Sequence, residues 1–171
     1  MNKLKFFFLF LFISCSSSRV IYDYDTKTDF KRFKTFNFFD DIGKGLNELD
    51  IKRISQKIVE NLNTKGIKLS ENPDFYVNFF SAERESTNRN TIGVGIGGGG
   101  NVGFGISGGI PIGRKKINQI LTIDFVEATS NELIWQSEIN SELSERSSPS
   151  EKNTHYSQII KKSFTNYPPK K

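Results

Sequence analysis

Residues 117–142, INQILTIDFVEATSNELIWQSEINSE, decide the fold. Leu121, Ile123 and Phe125 alternate with polar Thr122 and Asp124, the two-residue period of a strand buried on one face. After Val126, residues 127–132 are small, polar and Asx-rich, the composition of a turn. Leu133, Ile134 and Trp135 resume the apolar run and include the only tryptophan of the chain. This reads as a β-hairpin with a short polar loop, central enough to hold the largest side chain in the protein.

On the C-terminal side, Tyr156, Ile159, Ile160, Phe164 and Tyr167 form a helical stripe over residues 151–167, and Pro168 and Pro169 close it. On the N-terminal side, residues 91–113 alternate apolar residues with glycine: Ile92, Val94 and Ile96, then Val102, Phe104 and Ile106. Two flat strands joined around Gly97 to Asn101 would carry every side chain on one face. Glycine loses much backbone entropy on ordering, so this is the least stable element expected. Before it, residues 74–80 (DFYVNFF) read as a strand, and residues 83–90 as polar chain leading out over the surface. Further back, Ile51, Ile54, Ile58 and Leu62 recur at helical spacing, with Lys52, Arg53, Lys57 and Glu60 on the other face. Asn47 or Asp50 is placed to cap that helix and Gly66 to stop it, with residues 67–73 as connector. Two β-rich runs, residues 20–25 and 33–39, come first. The order β-β-α-β-(glycine hairpin)-β-β-α predicts an α+β domain: a largely antiparallel sheet, two packed helices and a glycine-rich hairpin insertion.

Residues 1–14 have the parts of a secretory signal. Lys3 and Lys5 form a positive start, and Phe6 to Ile13 is an apolar core too short to span a bilayer. The small residue Ser14 then precedes the single cysteine, Cys15, which resembles a bacterial lipobox; Phe12 stands where leucine is usual. The expectation is lipidation at Cys15, a tether over residues 15–19, one domain over residues 20–169 and a tail at residues 170–171. Acyl chains at about 0.8 kcal/mol per buried methylene would hold the domain on the membrane. A lipidated Cys15 leaves no thiol for a disulfide or a nucleophile. Ser16, Ser17, Ser18 and Arg19 carry no acidic residue, which favours the periplasmic face of the outer membrane.

The formal charge of +5 falls to +3 without Lys3 and Lys5, 22 basic against 19 acidic residues scattered along the chain. That balance argues against nucleic acid as a partner. Gly93, Gly95 and Gly98 satisfy a dinucleotide fingerprint as a string, but the glycines continue where a helix must open. Gly113-Arg114-Lys115-Lys116 lacks the Ser or Thr that follows a P-loop lysine. Asp23, Asp25 and Asp29 have the first spacings of a calcium loop, but Thr28 replaces its glycine and Lys34 its closing glutamate. His155, the only histidine, reads as an exposed helix residue with no orienting acid in sight. One histidine and a lipidated cysteine assemble no metal site, and no cofactor is expected.

Three blocks together resemble an uncharacterised bacterial lipoprotein family, that of the domain of unknown function 4136. They are YDYDTKTDFKRFKTFNFF (residues 22–39), KGIKLSENPDFYVNF (65–79) and LTIDFVEATSNELIWQSE (121–138), with Asn166-Tyr167-Pro168-Pro169 fitting the family's end. Phe38 or Phe39 stands for its first tryptophan and Glu127 for an aspartate. The resemblance implies an envelope location and transfers no catalytic residue. The function expected is a non-enzymatic, lipid-anchored envelope domain that binds another envelope protein through the glycine-rich hairpin. The alternative is a small-molecule or lipid-binding module, with an apolar pocket between sheet and helices lined by phenylalanines.

Overall fold

The computed structural model describes residues 18–85, 91–92, 110–111 and 116–169. In chain order the strands and helices are β1 (Arg19–Tyr24), β2 (Thr35–Phe38), α1 (Glu48–Thr64), β3 (Lys68–Leu69), β4 (Phe75–Glu85), β5 (Thr91–Ile92), β6 (Ile110–Pro111), β7 (Lys116–Glu127), β8 (Leu133–Ser144) and α2 (Pro149–Ser163). Single 3-10 turns lie at Phe30–Arg32 and Phe164–Asn166.

The expected hairpin is the centre of the sheet. β7 and β8 pair antiparallel from Lys116 opposite Ser144 to Phe125 opposite Trp135, with a register shift just beyond Phe125. The turn between them uses Asn131 at φ 55, a left-handed conformation that asparagine tolerates. Around this pair the order is β1-β8-β7-β4-β2-β3. β1–β8 and β4–β7 are antiparallel, whereas β2 runs parallel to both β3 and β4. Those parallel pairs follow from the connection: α1 carries the chain across the sheet between β2 and its two neighbours, and only a crossover joins parallel strands. The architecture is therefore α+β, with a mostly antiparallel sheet and two helices.

Local chemistry explains the helix ends. Asn47 is the cap of α1, its side chain accepting the Asp50 amide, and Gly66 at φ 78 reverses the chain after Thr64. α2 starts two residues earlier than its apolar stripe suggests. Ser148 and Glu151 form a reciprocal capping box and Pro149 occupies the first turn, where its missing amide costs nothing. The stripe itself is buried throughout: Tyr156, Ile159, Ile160, Phe164 and Tyr167.

One sheet face packs against the helices. Leu121, Ile123 and Phe125 of β7 meet Trp135 and Ile139 of β8, Phe75, Val77 and Phe79 of β4, and Ile54, Ile58 and Leu62 of α1. At its heart Trp135 stands 4.7 Å from Phe125, 5.3 Å from Tyr167 and 5.7 Å from Phe164 between ring centroids. These rings pack between the sheet and the helices. Beyond the end of β2, residues 39–47 close the sheet edge: Gly43 donates to Phe79 O (2.7 Å), and Ser81 donates to Lys44 O (2.8 Å). The approach requires glycine at position 45, where φ is +82 and a Cβ would stand 2.1 Å from the Ser81 carbonyl oxygen.

β4 runs on to Glu85, so Glu83, Arg84 and Glu85 continue the ladder with Gln119, Asn118 and Ile117. Of the segment 91–113, Thr91 and Ile92 pair antiparallel with Pro111 and Ile110. Val94, Ile96, Val102, Phe104 and Ile106 lie outside the described residues.

Candidate functional site

The strand directions give the sheet two distinct ends. At one end β4 finishes, β7 begins, β8 finishes and the chain enters through β1, as the pairings require. The caps of α1 and α2, Asn47 and Ser148, belong to loops at this same end. Ser18, the first described residue, precedes Arg19, which lies opposite Asn140 of β8, and its carbonyl accepts from Lys162 Nζ near the C-terminal end of α2. At the opposite end lie the β7–β8 turn, the start of β4 and the C-terminal ends of both helices.

The entry end holds a polar cleft of about 180 Å³, lined among others by Asp50, Glu83, Gln119, Glu145, Lys152 and Tyr156. Asp50 is its hub and only 4 % exposed. Its carboxylate pairs with Arg53 and with Lys152, each at 2.7 Å, and accepts from Asn47 at 2.7 Å. Burial alone would raise the Asp50 carboxyl, but the bonds from Lys152, Asn47 and Arg53 outweigh it and hold the group below the usual carboxylate range. Gln119 donates to the Tyr156 hydroxyl at 3.4 Å, while its own Oε1 and the Ser144 hydroxyl find no partner among the described residues. Burial pushes the Tyr156 phenol up to about 12.

Next to this cleft, His155 departs from the exposed position expected of it. It is half-buried, with Nε2 3.3 Å from the buried Ser141 hydroxyl, and burial pulls the imidazole below its ordinary pKa. Among the described residues the contact is a packed pair without an acid on the ring, and Ser141 also reaches the Gln119 carbonyl at 3.5 Å.

The far end holds a second cavity, of about 310 Å³, lined by Phe30, Lys31, Phe33, Lys34, Lys65, Ile67, Tyr167 and Pro168. The Phe30–Arg32 turn that forms one wall is capped by Asp29, which accepts the Lys31 amide at 3.1 Å. Asp74 fixes the next residues by accepting the amides of Lys34 (2.7 Å) and Thr35 (2.8 Å). Tyr167, 2 % exposed, contributes a buried hydroxyl that has no hydrogen-bond partner among the described residues.

Among the residues singled out from sequence, Cys15 lies outside the described chain, as does the candidate interaction segment apart from Ile92. Asp23, Asp25 and Asp29 are exposed and serve the local backbone: Asp25 accepts from the Thr28 hydroxyl (2.6 Å) and the Lys27 amide (3.0 Å). Among the described residues no three His, Cys, Asp or Glu side chains gather as metal ligands, and no helix is long and apolar enough to cross a membrane. The Asp50 knot was not anticipated as a site, although a signal for it exists. Asp50 precedes Ile54, Ile58 and Leu62 at four-residue steps, so it sits on the buried face of α1.

The model of the family described as "Domain of unknown function" (DUF4136) matches residues 20–169. Among solved structures, the fold is similar to that of a PDZ domain protein from Parabacteroides distasonis, at 18% identity and a TM-score of 0.56. That match covers 94% of this chain but 38% of the other, so this chain spans well under half of that protein. A second similar structure is a PelC dodecamer from Paraburkholderia phytofirmans, at 10% identity and a TM-score of 0.54, covering 91% of this chain and 100% of that one. At such identities the likeness is one of fold. No curated protein matches the chain.

Proposed function

This chain belongs to the family of the domain of unknown function DUF4136, and on that premise we propose that it is a lipid-anchored cell-envelope protein acting as a non-enzymatic interaction domain. The observation that carries the reading is the direction of the chain at the entry end of the sheet. Strand β1 enters from the same end at which β4 stops at Glu85 and β7 starts at Lys116, the two boundaries of the stretch that contains the glycine-rich segment. Ser18 lies three residue steps beyond Cys15, a reach of about 10 Å when fully extended. A lipid on Cys15 would therefore turn this end of the domain, with the boundary residues Glu85 and Lys116, toward the headgroups.

The outer membrane, periplasmic side, is the proposed location, resting on the absence of acidic residues after Cys15. The partner is another envelope protein, met through residues 91–113. What supports a non-enzymatic role is how the polar groups near the cleft are employed. Among the described residues Asp50 is held by two cations, Ser141 and His155 hold each other without an acid, and Ser137 and Ser163 share a buried hydrogen bond of 2.5 Å.

The test is crosslinking in cells followed by affinity purification and mass spectrometry, on the wild type and a chain lacking residues 91–113. The expected result is a specific crosslinked envelope protein that disappears on deletion while circular dichroism of the domain is preserved. A partner set unchanged by the deletion would remove the insertion from the proposal.

A further inference from the structure

We propose that the far-end cavity, walled by the Phe30–Arg32 turn, the end of α1 and the Tyr167-Pro168 segment, binds a small anionic amphiphile: one acidic group on a short apolar body. The inference rests on neither the lipid anchor nor the glycine-rich segment, since the cavity lies at the other end of the sheet.

Its interior is apolar and firm. Phe30, Phe33, Ile67 and Tyr167 are all buried core residues, and Phe30 meets Tyr167 and Phe33 edge-on at 5.9 and 6.2 Å. Rings locked in this way preform a surface and lose little entropy when a ligand arrives. The volume of about 310 Å³ lies at the low end for ligand pockets, roughly the space of ten water molecules. It admits a single short chain or ring and excludes the body of a two-chain lipid.

The mouth is cationic. Lys31, Lys34 and Lys65 all line it, no carboxylate does, and none of the three takes part in an ion pair among the described residues. The neighbouring acids are engaged elsewhere: Asp29 and Asp74 accept backbone amides, and Glu127 pairs with Arg32. Burial lowers the Lys65 ammonium, a desolvation that a bound anion would offset. Three like charges around one opening repel one another, and an acid group seated among them relieves that repulsion.

Shape and charge together point to the ligand class: apolar walls beside three lysines fit an apolar body that carries one acid group. The cleft at the entry end has the opposite character: smaller, and lined by Asp50, Glu83 and Glu145 together with Lys152. The anion belongs at the far end.

The acid could be a carboxylate, as on a free fatty acid, or a phosphate, as on a lipid breakdown product. The test is calorimetric titration of the full chain in phosphatidylcholine nanodiscs, with empty discs as blank, using octanoate, octyl phosphate and octylammonium. Octanoate or octyl phosphate should bind at one site per chain, at least about tenfold more tightly than octylammonium, and the tighter of the two anions identifies the source. The triple variant Lys31→Gln, Lys34→Gln, Lys65→Gln should bind at least about tenfold more weakly with an unchanged circular dichroism spectrum. These lysines are peripheral to the core, so the variant separates binding from folding. Equal affinity for octylammonium, undiminished binding by the triple variant, or no saturable binding of either anion would each overturn the proposal.

Discussion

Trp135→Ala destabilises the domain by about 3–5 kcal/mol, the range for removing a buried large aromatic side chain. Trp135 is 1 % exposed and lies in the middle of a ring cluster that joins β7, β8 and the end of α2. Alanine leaves a cavity bounded by Phe125, Phe164 and Tyr167. These rings belong to different elements and are held by their own neighbours, so they cannot all move in to fill it. A domain of this size has about 5–15 kcal/mol in total, and the variant is expected near the edge of folding at 37 °C. Urea unfolding followed by circular dichroism measures it, since the variant has no tryptophan fluorescence. A loss below about 1 kcal/mol would show that the cluster is not the centre of the core.

Asp50→Ala costs about 2–3 kcal/mol. Removing one partner of a fully buried ion pair costs about 3–5 kcal/mol, because the remaining charge stays desolvated. Here Arg53 and Lys152 keep side-chain exposures of 20% and 25%, so water recovers part of their solvation and the lower figure applies. Pairing the change with Lys152→Met removes one stranded charge and should return part of the loss. The sign of the pH dependence follows from the same bonds. The folded Asp50 carboxyl sits below its unfolded value of about 3.9. Its contribution is therefore present above that pH and is lost as acid protonates the folded group. His155 adds an earlier step: its folded pKa is also lowered, so its contribution is lost as pH falls below about 6.5, where the unfolded chain takes up the proton first. Urea midpoints from pH 7 down to pH 3 should fall in both windows, and Asp50→Ala should flatten the lower one.

Elements whose side chains repeat locally were readable in advance. Leu121, Ile123 and Phe125 alternate because one face of β7 is buried, and Tyr156, Ile159, Ile160 and Phe164 repeat because one face of α2 is buried. Polarity misled where the backbone decides. Glu83 and Glu85 look like departing chain, but the ladder to β7 is made by main-chain groups and continues through them. His155 sits among serines and a threonine, yet it precedes Ile159 by four residues and so shares its side of the helix. The far-end cavity had no signature at all. Lys31 and Lys34 come from a turn, Lys65 from the end of a helix and Tyr167 from the C-terminal segment, and no local period links them. Between sheet and helices the described rings pack together, and the two clefts described lie where the strands and helices end.

The lipid anchor is the premise on which the orientation at the membrane depends. Mass spectrometry of the N-terminal peptide of the mature protein tests it most directly. The account predicts a chain that begins at Cys15 with a diacylglyceryl thioether on its sulfur. A chain that retains Met1, or one in which the Cys15 sulfur is unmodified, would contradict it.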